Sequence, residues 1–161
     1  MHIKYNKKHI GIVILLLICI FCVAYSCIEE YTEYKNVNRH FDDISIVTSD
    51  NKMHKFHMLL ANTPELQEKG LGDRVSLDKK DAMLFVFEEN EKHYFWMKDM
   101  YFPIDMVWLN SDKKVMYIQN DVATSTYPNP FGPNDNSQYV IEYNAGVSDQ
   151  IHLNIGDTVN F

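Results

Sequence analysis

The chain has 161 residues, room for one domain and a targeting segment, and its 46% of hydrophobic residues is enough to bury a core, which excludes wholesale disorder. Formal net charge is −7; all 22 acidic residues follow Ile28, whereas Lys4, Lys7 and Lys8 precede it. A folded part that acidic repels phosphate backbones, so nucleic acid is a poor partner.

The first eight residues form a short basic stretch, and residues 10–27, IGIVILLLICIFCVAYSC, carry no charge. This is the pattern of an export signal or a signal-anchor helix, and the run approaches the ~18 residues at which a spanning helix becomes credible. Residues 1–27 therefore read as a signal peptide, a lipoprotein signal or a transmembrane anchor. Ala24-Tyr25-Ser26 offers an A-x-A-like cleavage site, and with Cys27 it resembles a lipobox in which Cys27 would carry lipid. Either tether puts the domain on the extracytoplasmic side, periplasmic or extracellular, with the membrane itself as one partner. Cys19, Cys22 and Cys27 all lie in this leader, so the domain can hold no disulfide, zinc-thiolate site or Cys nucleophile.

Residues 28–43 are polar and aperiodic and read as a linker. Residues 44–161 then form a single β-rich domain. Strands are expected at 44–47 and 55–61, joined as a hairpin through Ser49-Asp50-Asn51. Thr63, Pro64 and Gly70 suit the N-cap, first position and stop of a two-turn helix, and a second short one is expected at Ser76-Leu77-Asp78. The run 82–87 is apolar throughout and reads as a strand buried on both faces. Further strands are expected at 93–97, 104–109, 115–122, 139–143 and 158–161, with a turn at Ser111-Asp112-Lys113. Residues 123–138 contain Pro128, Pro130 and Pro133 and read as a long loop. The expected fold is mainly β, a small sandwich or barrel of short, mostly antiparallel strands with one or two short helices.

Four stretches carry a resemblance: Gly70-Leu71-Gly72-Asp73-Arg74; Ala82-Met83-Leu84-Phe85-Val86-Phe87; Phe95-Trp96-Met97-Lys98 with Pro103-Ile104-Asp105; and Tyr139-Val140-Ile141-Glu142-Tyr143-Asn144-Ala145-Gly146. In this order and spacing the chain resembles domain-of-unknown-function family 192, an uncharacterised bacterial and archaeal family. The resemblance implies a compact, mostly β fold, often behind an export signal, and supplies no activity. Ala82 stands where that pattern usually has Gly, and Asp99-Met100 where it has Asn-Thr.

Alternation places Asp105 with Val107 and Leu109 on one strand face, and Ile104, Met106 and Trp108 on the other. Glu142 sits similarly among apolar residues. Buried carboxylates need partners, and Arg74 and Lys98 are the nearby cations. If 93–97 and 104–109 form a hairpin, Lys98 reaches Asp105. The candidate ligand-binding residues are thus Arg74, Trp96, Met97, Lys98, Asp105 and Glu142, with Met83 in the wall. The alternative is an ion network that pins loops to the sheet, with Trp96 and Met97 as ordinary core. His54 and His57 point to opposite faces of a strand, so no metal site is expected, and no cofactor motif is present. The resulting expectation is a non-catalytic ligand-binding or interaction module for a small molecule, envelope glycan or protein. The alternative function is a cofactor-independent hydrolase or lyase using Asp105 and Glu142 as paired carboxylates.

Overall fold

The structure, a computed structural model, describes residues 16–26, 28 and 40–161, with side chains of the latter segment from Asp43 onward. The basic stretch, the start of the apolar run, Cys27 and most of the expected linker lie outside the described residues. The chain divides into two compact units, residues 1–38 and 39–161. In the first, residues 16–26 are helical, with Cys19 and Cys22 free and exposed. Among the described residues no helix is long and apolar enough to cross a membrane.

The second unit is mainly β. Its strands are β1 (His40–Val47), β2 (Met53–Ala61), β3 (Asp81–Glu91), β4 (Ile104–Leu109), β5 (Val115–Val122), β6 (Ser137–Asn144) and β7 (Thr158–Asn160), with helices α1 (Pro64–Lys69) and α2 (Val147–Gln150). They form one curled, mixed sheet in the order β5-β4-β6-β3-β2-β1-β7. All its pairs are antiparallel except β2 with β3, whose connection through α1 allows the parallel register. The two edges approach each other. Lys114 bridges Thr158, and Val159 N–H donates to Lys113 C=O at 3.0 Å. The curl buries one face of the sheet inside a half-barrel, so the sheet takes the barrel-like of the two expected architectures.

Strand alternation sorts the core into two clusters. The inner one gathers Ile44, Phe56, Leu84, Val107, Ile141 and Val159 from six strands, and α2 adds Val147. The outer one holds Leu59, Met83, Phe85, Met106, Trp108 and Val140, together with Leu71 and Met97 from the connecting segments. The outer face is covered by loops and α1, and that cover creates the candidate site.

The expected hairpin of β1 and β2 and the helix α1 are observed. Thr63 Oγ1 accepts from Leu66 N–H (3.4 Å), and Gly70, at φ +51°, ends the helix with its N–H on Leu66 C=O. Residues 76–78 form no helix; instead Asn144 Nδ2 donates to the Leu77 and Asp78 carbonyls and pins that segment as a loop. Residues 93–97 are not a strand. Among the described residues only Phe95 pairs, with Phe131 of the proline-containing loop, through two N–H···O bonds of 2.9 Å. Around that pair the segment is held by side chains: Trp108 Nε1–H donates to His93 C=O (2.9 Å), and the Phe95 ring meets Trp108 edge-on. α2 was not expected. Four residues give no readable periodicity, and its position is set by a distant carboxylate described next.

Candidate functional site

Asp105 and Glu142 occupy neighbouring strands, but not one site. In the β4–β6 register Asp105 faces Tyr143 and Met106 faces Glu142. The two carboxylates are therefore one step out of phase and project to opposite faces of the sheet. The expected polar cluster does not form.

Asp105 points inward and is fully buried. Its oxygens accept three backbone N–H groups: Asp121 at 2.9 Å, Gly146 at 3.1 Å and Ser148 at 2.8 Å. Gly146, at φ +84°, lets the chain turn so that two of these donors converge at the start of α2. No cation is needed, because backbone amides satisfy the carboxylate. The expected Lys98–Asp105 contact fails for a second reason: with 93–97 not a strand, the hairpin that would carry it does not exist.

Glu142 points outward, between Met83 of β3 and Met106 of β4. It is 4% exposed, and its Oε2 is without a hydrogen-bond partner among the described residues. Burial pushes its carboxyl up to about 8, so the neutral acid dominates at pH 7. Above it lies Gly70. A Cβ there would stand 3.8 Å from Glu142 Oε2 and 3.4 Å from the Phe85 ring, so the bare backbone leaves space over the carboxyl.

That space is part of a cleft of about 380 Å³, near the lower end of the about 300–1,000 Å³ common for small-molecule sites. Glu142, Phe85, Ile104 and Met106 contribute from the sheet, and residues 67–72 from α1 and its following turn. The segment 92–100 completes it with Phe95, Trp96 and Lys98 among others. The two covering segments are tied together. Asp73 N–H donates to Asp99 C=O (2.8 Å), and Leu71 and Met97 share the outer core. Asp73 and Asp99 both have positive φ, a conformation that Asp tolerates better than most residues. The Asp at 99 is thus explained by a turn.

Of the expected site residues, Trp96, Lys98 and Glu142 line this cleft. Trp96 is 49% exposed, its ring edge-on to Tyr127. Met97 and Met83 are buried in the outer core beside the cleft and do not line it. Arg74 closes the preceding turn, its N–H on Leu71 C=O (3.3 Å), and lies outside the cleft lining. Sequence reasoning missed Gly70, Phe85 and Tyr94 as lining residues, although all but Tyr94 stand inside the quoted motifs. It also missed Lys69 and Lys92, which with Lys98 place positive charge among the lining residues; Glu68 lies there too. Lys69 pairs with Asp73, while Lys92 and Lys98 make no ion pair among the described residues. No group of three or more His, Cys, Asp or Glu among the described residues is placed to hold a metal.

Each of the four motifs that carried the family resemblance delivers a residue to this cleft: Gly70, Phe85, Trp96 and Glu142. A family model for DUF192, described as "Uncharacterized ACR", matches residues 45–161. No curated protein matches the chain. Similar crystal structures include the following two. One is a candidate transcription regulator from Sinorhizobium meliloti 1021, with TM-score 0.71 and 26% identity over 75% of this chain and 94% of that one. The other is a protein of unknown function from Novosphingobium aromaticivorans DSM 12444, with TM-score 0.70 and 25% identity over 74% of this chain and 84% of that one.

Proposed function

The chain belongs to domain-of-unknown-function family 192, and from that premise we propose that its domain is a non-catalytic module that binds a small molecule in the Glu142 cleft. One observation carries the reading: a buried carboxyl, one oxygen of which has no hydrogen-bond partner among the described residues, lies in the lining of a cleft walled by aromatic rings. Leaving such a group unsatisfied costs free energy, about 1–3 kcal/mol for a neutral one. A ligand supplying the missing hydrogen bond recovers that cost. The hydrolase alternative loses its pair, because Asp105 lies across the sheet with its oxygens committed to backbone amides. A regulator that binds nucleic acid is disfavoured by the acidic charge balance.

The test is a thermal-shift screen of a metabolite library on the full-length chain in mild detergent, repeated with Glu142→Gln. A ligand that raises the unfolding temperature of the wild type and not of the variant supports the proposal. Ligands that act equally on both sink it.

We further propose that the domain is held at the outer face of a membrane by the leader. The support is the charge-free run after Lys4, Lys7 and Lys8. Cell fractionation should recover the protein with membranes, and Cys27→Ala should abolish lipid labelling if Cys27 is the lipid-bearing residue. Recovery of most of the protein as a soluble species would contradict the tether.

A further inference from the structure

Resting on the reading of the cleft as a binding site, we infer that its occupant is an anionic pyranose: a sugar ring stacked on Trp96, hydroxyls toward Glu142, and the anionic group toward Lys92 and Lys98. Three features of different kinds converge on that chemistry.

The floor comes first. Glu142 Oε2 has no hydrogen-bond partner among the described residues, and the side chain is nearly fully buried. A ligand hydroxyl both donates and accepts, so it satisfies this carboxyl whether or not the proton is present. A purely apolar ligand would leave the oxygen as it is. An amine would pair with the ionised form, but Lys92 and Lys98, which make no ion pair among the described residues, also line the cleft.

The walls come second. Trp96 and Tyr94 line the cleft and are 49% and 51% exposed, while Phe85 and Phe95 lie deeper. Large half-exposed rings beside a cleft offer flat apolar faces with a slightly negative potential. A pyranose presents a complementary face of C–H groups, with its hydroxyls around the edge. One small molecule thereby meets the rings and the carboxyl together, which neither a hydrocarbon nor a fully hydrated ion does.

Charge comes third. The chain as a whole carries −7, yet the cleft lining sets three lysines against Glu68 and the buried Glu142; Lys69 is paired with Asp73, and Lys92 and Lys98 form no ion pair among the described residues. An anionic substituent on the sugar answers that local excess. A carboxylate and a phosphate have this chemistry in common, so both belong in the test.

The experiment uses the full-length chain in mild detergent, with saturation-transfer NMR and tryptophan fluorescence as readouts. The probes are D-glucuronate, glucose 6-phosphate, the neutral methyl α-D-glucoside, and benzoate as an anion without a sugar ring. At least one anionic sugar should bind saturably. Trp96→Ala should weaken it about tenfold through lost stacking. Lys98→Met should weaken the anionic sugars about two- to fivefold and leave methyl glucoside unchanged. Lys98 is exposed, so this second variant stays informative if Trp96→Ala melts early. Failure of both anionic sugars to bind, or binding indifferent to both substitutions, overturns the assignment. Benzoate binding that Trp96→Ala and Glu142→Gln abolish, without sugar binding, overturns the saccharide and leaves the cleft reading intact. If neither these probes nor the metabolite library give a Glu142-dependent signal, the cleft reading falls as well.

Discussion

Glu142→Gln isolates the feature on which the functional reading rests. The substitution keeps side-chain size and removes the ionisable proton. Burial raises the Glu142 pKa from 4.5 to about 8, and at ~1.4 kcal/mol per pH unit the ionised form costs on the order of 5 kcal/mol in the folded state. The sign follows from where the protons sit. Between pH 4.5 and 8 the folded chain holds a proton that the unfolded chain has released. Wild-type stability therefore falls as pH rises through that window and levels off above it. The variant lacks this slope. Its stability relative to wild type should rise by roughly 2–3 kcal/mol from pH 5 to pH 7, and by roughly 1–2 more by pH 9. Urea unfolding of both proteins at these three pH values measures the difference. The series stops at pH 9, because burial also raises the Tyr143 pKa, and that hydroxyl adds its own loss of stability above pH 10. The glutamine amide contributes a constant offset, so the slope is the diagnostic quantity. A difference that stays flat from pH 5 to pH 9 would mean that the carboxyl is solvated or paired, and would refute the argument.

Other substitutions have sharp expectations. Asp105→Ala orphans three backbone N–H groups and should destabilise the domain by at least about 3 kcal/mol in urea. Paired with Glu142→Gln, its cost should be additive within about 0.5 kcal/mol, since the sheet separates the two side chains; a larger coupling would contradict the register. Lys98→Met should change stability by less than about 0.5 kcal/mol, because Lys98 is exposed and unpaired among the described residues. Gly70→Ala places a Cβ at φ +51° and 3.4 Å from the Phe85 ring, so a loss of about 1–3 kcal/mol is expected, measured by thermal unfolding.

How much of this was legible in the sequence depends on the range of the interaction concerned. Strand alternation assigned Asp105, Val107 and Leu109 to one face of β4, and the core clusters agree. Thr63, Pro64 and Gly70 located α1, since capping is local chemistry. What stayed hidden was decided by partners far along the chain. Residues 93–97 have strand-like composition, but among the described residues their only ladder partner is Phe131, inside a proline-containing loop. α2 is four residues long, and the group that anchors its start is Asp105 on β4. The relative phase of Asp105 and Glu142 required the β4–β6 register. Each residue taken alone looked like a buried carboxylate on an apolar strand, and nothing local indicates which face of a curled sheet becomes the inside.

That phase difference also bears on the function. A half-barrel has one face that must close on itself and another that loops cover with more freedom. On the inner face Asp105 meets three amides and acts as a structural anchor, at a cost offset by its own hydrogen bonds. On the outer face Glu142 meets two methionines, an aromatic ring and an open cleft. An apolar side chain of similar volume there would pack against Met83, Met106 and Phe85 without any desolvation penalty, so stability alone does not account for a carboxyl at this position. A structural role would require partners of the kind Asp105 has, and Glu142 Oε2 has none among the described residues. The account that uses every feature is one in which the missing partner arrives from outside the chain. In the proposed reading that partner lies in the cleft lined by Gly70, Trp96, Lys92 and Lys98.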